Sequence, residues 1–275
     1  MNQELIFEQI KEKRSFLCVG LDVDLDKIPT HLLSEEDPIF SFCKSIIDST
    51  ASYAIAFKPN IAFFETYGSK GWKALEKVSN YLSINYPNIF TIADAKRADI
   101  GNTSSRYAKA FFEKLSFDSI TVSPYMGKDS VEPFLDFKNK FVIILALTSN
   151  HGADDFQFLK SDGKPLFERV IQISKKWKNS KRIMYVIGAT KVDYLKKVRK
   201  IAPDSFFLIP GVGAQGGSLK EVSLAGMNDH CGLIVNSSRQ ILYADNGLDF
   251  ATSAKKEARK LQKVMEEELI KKGII

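Results

Sequence analysis

The sequence predicts an α/β fold with a single domain, a (β/α)8 TIM barrel, and three observations support it. Short apolar runs recur eight times, segments with helical spacing lie between them, and no shift in composition marks a linker. Most runs are apolar on both faces, which is typical of parallel strands covered on each side. This alternation fits a closed barrel better than two domains, with a doubly wound open sheet as the alternative.

The eight predicted strands are rich in β-branched and aromatic residues and are bounded by polar residues, glycine or proline. They cover 15–22, 53–60, 90–96, 119–124, 141–148, 184–190, 206–213 and 231–238. Helical spacing predicts helices over 34–52, 69–86, 102–115, 166–177 and 192–201. We expect Ser34 to cap the first of these helices, with Asp37 three residues on and Pro38 in the opening turn.

Two further segments follow from their composition. The highly charged tail over 251–272 predicts a final amphipathic helix that packs on the barrel, so that residues 1–275 form one barrel domain. The polar, glycine-containing stretch over 149–165 is longer than a usual connection from strand to helix. A mobile lid and a surface insertion both account for it.

Composition and charge narrow the classes of partner. With 44% hydrophobic and 26% charged residues the chain resembles an ordinary globular protein. Its net charge of +6 suits nucleic acid, an anionic surface or a phosphorylated small molecule. The basic residues are scattered through predicted helices, for example at 175–181 and 191–200, which favours solvated helix faces over a nucleic-acid groove.

The cysteines and the N-terminal residues indicate in which cellular compartment the protein is expected. Cys18, Cys43 and Cys231 are far apart and form no CxxC pair, so they predict neither a disulfide framework nor a thiolate zinc site. The first sixteen residues, "MNQELIFEQIKEKRSF", carry charges every few positions, unlike a signal peptide or a membrane-spanning helix. We therefore expect a cytoplasmic protein that does not bind a membrane.

Polar residues at the ends of the predicted strands are the candidates for a functional site, because the active sites of such barrels lie at the carboxyl ends of the strands. Strand by strand, these candidates are Asp22, Lys58, Asp94, Lys96, Ser123, the stretch "PGVG" from Pro210 and the stretch "NSSR" up to Arg239.

The stretch "TIADAKRADIGNT" is the densest group of charges among these candidates. Asp94 and Lys96 are two residues apart, so in a strand they point to the same face, while Arg97 points to the other and is expected to form a structural pair. Ion pairs that close the barrel top are the alternative. Lys58 and Asp22 extend the group into an alternating array that costs several kcal/mol to bury, which favours function.

A second group of candidates follows strands seven and eight. The glycines of "IPGVGAQGG" expose backbone N–H groups that can approach an anion, and loops after these strands commonly bind phosphate in such barrels. Arg239 follows closely enough to add a bidentate guanidinium contact. A tight turn and a surface arginine are the alternative.

These motifs resemble the orotidine 5′-phosphate decarboxylase family, in its longer bacterial form (type 2). The family signature D-x-K-x-x-D-I-G-x-T is matched at every fixed position, by Asp94, Lys96, Asp99, Ile100, Gly101 and Thr103. The stretches "GLDVD", "FKPN", "SPYMG", "PGVGAQGG" and "NSSRQI" follow in family order between residues 20 and 241.

The resemblance implies decarboxylation of orotidine 5′-monophosphate (OMP) at C6 to give UMP, the last step of de novo pyrimidine synthesis, with neither a metal nor an organic cofactor. The sequence agrees, since it has no HxH or HExxH spacing and no GxGxxG that opens a helix after strand one. His31, His151 and His230 are scattered, and we expect structural roles for them.

The resemblance also implies roles for individual residues. Lys96 is the proton donor to the C6 carbanion, Asp94 lies near the departing carboxylate, and Lys58 and Asp22 hold the ribose hydroxyls. Asp99 lies beyond the strand end, where its side chain reaches either its own barrel mouth or a neighbouring subunit.

The family pattern places Asp99 and Thr103 in the other subunit's site, which implies a homodimer. Ser123 binds the pyrimidine. Arg239 grips the phosphate together with the turn that contains Pro210, Gly211, Gln215 and Gly216.

Three alternatives to this function differ in class. A metal-dependent sugar-phosphate decarboxylase of the 3-keto-gulonate phosphate type needs an additional metal-ligating acid, for which the sequence offers no clear candidate. A non-catalytic nucleotide-binding barrel has no need for a costly charge array. A fusion with orotate phosphoribosyltransferase is not expected, because one barrel uses the whole chain.

Overall fold

The apolar runs of the chain form the parallel strands of a closed barrel in the computed structural model, which describes residues 1–212 and 217–275. All eight predicted strands are present, and most are shorter than the run that predicts them. They are β1 (Leu17–Leu21), β2 (Ala54–Pro59), β3 (Phe90–Arg97), β4 (Ser119–Val122), β5 (Phe141–Leu147), β6 (Ile183–Ile187), β7 (Phe207–Ile209) and β8 (Leu233–Ser237).

The strands follow one another around the barrel in chain order, and β1 closes the ring by pairing with both β2 and β8. In the closing pair Leu17 lies opposite Val235 and Val19 lies opposite Ser237. Since β1 has a neighbour on each side, the barrel prediction is confirmed and the open-sheet alternative is wrong. The strand residues are buried on both faces except near the ends of β3 and β5, which explains why the runs read as continuously apolar.

Helices alternate with the strands and cover the barrel. They are α1 (Gln3–Lys13), α2 (Pro38–Thr50), α3 (Ile61–Glu65), α4 (Gly68–Asn85), α5 (Gly101–Lys109), α6 (Glu132–Leu135), α7 (Ala153–Phe156), α8 (Leu166–Ser174), α9 (Val192–Ile201), α10 (Leu219–Gly226), α11 (Arg239–Leu242) and α12 (Phe250–Lys272). Short 3-10 turns lie at Thr30–Ser34, Lys128–Ser130 and Ser180–Arg182, and a π-helical turn, Ala110–Lys114, extends α5.

The predicted start of α2 is wrong. Ser34 ends a 3-10 turn, and Asp37 is the residue that caps the helix, with its Oδ1 accepting a hydrogen bond from the Phe40 N–H at 3.1 Å. Pro38 takes the first helical position, where its missing N–H costs nothing. Its fixed φ starts the helix there, so the cap is the residue directly before it.

The segment over 149–165 folds as an insertion at the end of β5. It contains α7 and a two-stranded hairpin of Lys160–Ser161 with Lys164–Pro165. Gln157 fastens it to the barrel, because its side chain accepts from the Thr148 N–H and donates to the Thr148 hydroxyl, both at 2.8 Å. These contacts favour the surface insertion over the mobile lid.

The C-terminal helix α12 packs against α2, α10, α11 and β1. Its inner face is formed by residues at helical spacing, among them Ala254, Ala258, Met265 and Leu269, and all four are fully buried. Gly273 ends it in the left-handed conformation, with φ +75°. In the described part of the chain, no helix combines the length and apolar character that a membrane span requires.

Candidate active site

A cavity of about 170 Å³ opens at the carboxyl ends of the barrel strands. Among the described residues, six predicted site residues line it, in or directly after β1, β2, β3, β7 and β8: Asp22, Lys58, Asp94, Pro210, Gly211 and Arg239. The other described lining residues are Asn60, Val212, Asn236, Ser237 and Ser238. The convergence expected from the ends of the apolar runs is therefore present.

A charge array joins two residues of the cavity lining, Lys58 and Asp94, to Lys96, which lies outside that lining. The Lys58 Nζ lies 2.8 Å from Asp94 Oδ2, and the Lys96 Nζ lies 2.6 Å from Asp94 Oδ1. Each oxygen of one carboxylate thus binds a different ammonium group. The two lysines differ in burial, since the side chain of Lys58 is 5% exposed and that of Lys96 is 51% exposed.

The buried pair of this array, Lys58 and Asp94, keeps its charges over a wide pH range. Burial acts to raise the pKa of Asp94, but the ammonium groups of Lys58 and Lys96 outweigh it and hold the pKa well below the usual value. Burial acts to lower the pKa of Lys58, but the carboxylates of Asp94 and Asp22 outweigh it and raise the pKa. Neutralising either partner would leave a buried charge uncompensated, so both remain ionised near neutral pH.

Asp22 is held by its backbone while its side chain keeps an unused oxygen. Asp22 Oδ1 is buried and has no hydrogen-bond partner among the described residues. The Tyr243 hydroxyl donates to the Asp22 carbonyl at 2.7 Å and accepts from the Asp24 N–H at 2.9 Å. A buried carboxylate oxygen without a donor, on a cavity wall, fits a ligand that supplies a hydroxyl.

The residues after β7 and β8 form another part of the cavity lining, where backbone and hydroxyl groups lie close together. Gly211 has φ +92°, a conformation that favours glycine. Gly20 in β1 allows the chain after β8 to approach closely, because a Cβ at this position would lie 2.0 Å from Ser238 Oγ. Arg239 follows directly as the first residue of α11 and is exposed toward solvent. Gln215 and Gly216 lie outside the described residues.

Comparison with known proteins identifies the family. The model of the family described as "Orotidine 5'-phosphate decarboxylase / HUMPS family" matches residues 15–254, which is most of the chain. The chain belongs to this family.

Relatives within the orotidine 5′-phosphate decarboxylase / HUMPS family are similar over almost the full length. The orotidine 5′-phosphate decarboxylase of Flavobacterium johnsoniae is 63% identical, with 97% of this chain and 98% of the relative covered. That of Christiangramia forsetii is 61% identical, with 98% and 100% covered. The structure of Leishmania donovani OMP decarboxylase is 35% identical with a TM-score of 0.81, covering 97% of this chain and 100% of that one. The resemblance inferred from the motifs is confirmed.

The remaining described site residues of this family member, Lys96, Asp99, Thr103 and Ser123, lie outside the cavity lining. Asp99 and Thr103 flank the start of α5, where Thr103 is exposed and Asp99 Oδ1 accepts the Ile100 N–H at 2.7 Å. Ser123 follows β4 and lines a neighbouring groove of about 590 Å³. The signature shared with the orotidine 5′-phosphate decarboxylase family therefore divides into a part at the cavity and a part beyond it.

Arg97 takes the structural position expected for it. Its guanidinium forms an ion pair with Glu65 and lies 5.4 Å from the ring centre of Tyr107 and 5.6 Å from that of Phe111. It also donates to the Ala95 carbonyl at 3.0 Å. These contacts tie β3 to the helices around it.

No individual role was assigned from the sequence to four of the polar lining residues. Asn60 lies one residue beyond β2, and its backbone bridges to Asp94. Asn236 and Ser237 end β8 and Ser238 follows it, and the Asn236 amide donates to Ser238 Oγ at 3.2 Å. Their position in the sequence could have indicated a role, because Asn60 shares the motif "FKPN" with Lys58 and the other three share "NSSRQI" with Arg239.

Proposed function

We propose that this chain decarboxylates OMP to UMP and CO2, the last step of de novo pyrimidine synthesis, using its own side chains and no metal or organic cofactor. The charge array carries the proposal, because Lys58, Asp94 and Lys96 meet beside a carboxylate, Asp22, that keeps an unused buried oxygen. The names of the similar proteins support the same substrate.

Lys96 is the proposed proton donor. When the bond between C6 and the carboxylate breaks, CO2 leaves and the electron pair stays on C6. An ammonium group beside this carbon stabilises the developing negative charge and then transfers a proton to it. The half-exposed position of Lys96 supports this role, because solvent can return a proton to the amine after each turnover.

Asp94 and Lys58 prepare the site for that step. The lowered pKa of Asp94 keeps a negative charge fixed near the proposed position of the substrate carboxylate, and this repulsion is relieved when CO2 leaves. The same carboxylate binds Lys96 and so fixes its ammonium group. Lys58 balances the charge of Asp94 from the buried side.

The rest of the substrate is assigned to the groups around the array. Asp22 Oδ1 accepts from a ribose hydroxyl, with Lys58 as the donor on the same side. Arg239 and the turn containing Pro210, Gly211, Gln215 and Gly216 bind the phosphate dianion. Ser123 hydrogen-bonds the pyrimidine. Binding energy from the remote phosphate then contributes to the rate if it is realised chiefly in the transition state.

We further propose a homodimer in which Asp99 and Thr103 complete the partner's site. Large apolar residues near them support this, since Ile100 is 52%, Tyr125 87% and Met126 48% exposed. The helix after Asp99 packs against the turn that follows Tyr125 and Met126, so these residues share one region of the surface. An exposed apolar patch of this kind is typical of an interface.

Mixing two inactive variants tests the shared site. Lys96→Ala and Asp99→Ala homodimers should each be inactive, and unfolding and refolding them together should restore activity. Random pairing of a symmetric dimer leaves about a quarter of the sites with both residues intact. A mixture no more active than its components would contradict the exchange of Asp99.

An absorbance assay of UMP formation, run in EDTA, tests the reaction itself. We expect turnover of OMP by the wild type and none by Lys96→Ala. Lys260→Ala is the matched control, because Lys260 is also an exposed, ion-paired lysine, 2.5 Å from Glu257. Activity in both wild type and Lys96→Ala, or in neither, would refute the proposal. Activity lost only in EDTA would favour the metal-dependent sugar-phosphate decarboxylase.

The remaining proposals concern location and binding partners. We propose a cytoplasmic enzyme that acts on a small molecule and does not bind nucleic acid or a membrane. The three cysteines support a reducing compartment, since Cys18, Cys43 and Cys231 are all buried and free.

A further inference from the structure

The backbone at Lys96 departs from a regular strand. Lys96 has φ +45°, in the left-handed region that L-residues rarely adopt, and the pairing of β3 with β4 shifts register between Ala93 and Arg97. In this conformation the Lys96 side chain returns to Asp94, its neighbour two residues earlier. The left-handed backbone therefore directs the Lys96 ammonium group toward Asp94. This conformation is unfavourable for a lysine, so it requires stabilising contacts.

The hydroxyl of Thr121 in β4 makes the two contacts that connect these features. Thr121 Oγ1 accepts the Lys96 backbone N–H at 2.9 Å and donates to Asp94 Oδ1 at 3.1 Å. Because the N–H of Lys96 occupies the acceptor side of the hydroxyl, its single proton is free for the carboxylate. Thr121 is 1% exposed, so solvent water cannot replace either bond.

We infer that Thr121 is a positioning residue for the reaction, which acts by holding the left-handed backbone of Lys96 and the carboxylate of Asp94 in one geometry. The inference rests on the proposed function and deepens it. Asp94 Oδ1 receives both the Lys96 ammonium and the Thr121 hydroxyl, so one hydroxyl fixes the main chain of the proposed proton donor and the group that orients its side chain.

The chain contains a matched control at the other end of the same strand pair. Thr91, near the start of β3, is also buried; its hydroxyl accepts the Asp118 backbone N–H and donates to Asp118 Oδ2, both at 2.9 Å. Thr91 and Thr121 thus have the same bonding pattern between a backbone N–H and a carboxylate. They differ in position, since Thr91 lies at the end of the barrel opposite to the cavity.

Steady-state kinetics and thermal unfolding of Thr121→Val, Thr121→Ser and Thr91→Val test the inference. Valine keeps the shape and removes the hydroxyl, whereas serine keeps the hydroxyl. For Thr121→Val we expect kcat to fall about 10- to 100-fold while KM changes less than about threefold, because misplacing a reacting group acts on the chemical step. Thr121→Ser should keep kcat within about threefold of wild type. Thr91→Val should lose thermal stability and keep kcat.

Each outcome decides the inference. A Thr121→Val enzyme with the kcat of the wild type would overturn it, as would an equal loss in Thr91→Val, which would indicate general damage to the barrel. If Thr121→Val does not fold, Thr121→Ser still decides, because a serine variant with strongly reduced kcat would show that the hydroxyl is not the required group. Failure of the wild type to form UMP would refute the proposed function instead.

Discussion

Two lysines bind one carboxylate in this barrel, and we expect their removal to affect stability very differently. Lys58 and Asp94 are almost enclosed, with side-chain exposures of 5% and 11%, whereas the Lys96 side chain is 51% exposed. The N–O distances are similar, 2.8 Å and 2.6 Å. The two lysine side chains therefore differ in burial and not in distance, and this difference should set the stabilities of Lys58→Met and Lys96→Met apart.

The magnitudes follow from what each variant leaves behind. Removing one partner of a buried ion pair costs about 3–5 kcal/mol. Lys58→Met leaves Asp94 with Lys96 as a partner, so we expect the lower end, about 3 kcal/mol. Lys96→Met removes a half-exposed ammonium group, worth at most about 1 kcal/mol, and leaves Asp94 paired with the buried Lys58. For a chain of this size, these values correspond to falls in Tm of roughly 6–12 °C and below about 4 °C.

Calorimetry measures the Tm of Lys58→Met, of Lys96→Met and of the surface control Lys260→Met. The OMP assay should find Lys58→Met and Lys96→Met inactive.

The difference in Tm between Lys58→Met and Lys96→Met should be constant from about pH 5 to 9. The lowered pKa of Asp94 makes its contribution present above the unfolded pKa near 4 and lost as the pH falls through the folded value. The raised pKa of Lys58 makes its contribution present below about pH 10.5 and lost as the pH rises further. Equal Tm values for the two variants would refute the assignment of the stabilising role to Lys58.

Three further predictions concern single residues. Lys96→Gly should be more stable than Lys96→Ala by about 0.5 kcal/mol, because relief of the left-handed backbone outweighs the entropy cost of glycine; the opposite order of Tm values would contradict this. Arg239→Ala should lower kcat/KM about 100-fold or more and Tm by less than about 2 °C, since the exposed guanidinium is proposed to bind phosphate and contributes little to folding; an unchanged kcat/KM for OMP would exclude the phosphate assignment. Tyr243→Phe should raise KM about tenfold, because it removes the hydroxyl that holds the backbone at Asp22 and Asp24; wild-type KM would show that the loop needs no such support.

The fold was predictable because its signal is local. Each barrel strand is buried on nearly all sides, so it appears in the sequence as a continuous apolar run whatever the rest of the chain does. The start of α2 was less predictable, because Ser34 and Asp37 are both good caps and only the position of Pro38 decides between them. Helix ends depend on such single contacts, and several residue types satisfy them.

The candidate site was predictable only where its residues carry charge or follow an apolar run. The side chains of Asp94 and Lys96 meet as expected. They do not meet through regular strand alternation, because the backbone at Lys96 is left-handed and the pairing of β3 shifts register in this stretch. A lysine in this conformation leaves no mark in the sequence. Thr121 was missed for a related reason: a threonine inside a β-branched run reads as a strand residue, and its partners lie 25 and 27 positions away.

The burial difference between the two lysines also bears on the proposed chemistry. A proton donor must release its proton and regain it in every cycle, and a lysine with a raised pKa in an enclosed ion pair resists that change. Lys58 therefore suits a permanent positive charge, and it keeps Asp94 ionised whatever the protonation state of Lys96. Lys96, bound to the other oxygen and open to solvent, can give up its proton without leaving Asp94 unpaired. The buried lysine of this array thus stabilises the site, while the exposed lysine is the one that can exchange protons.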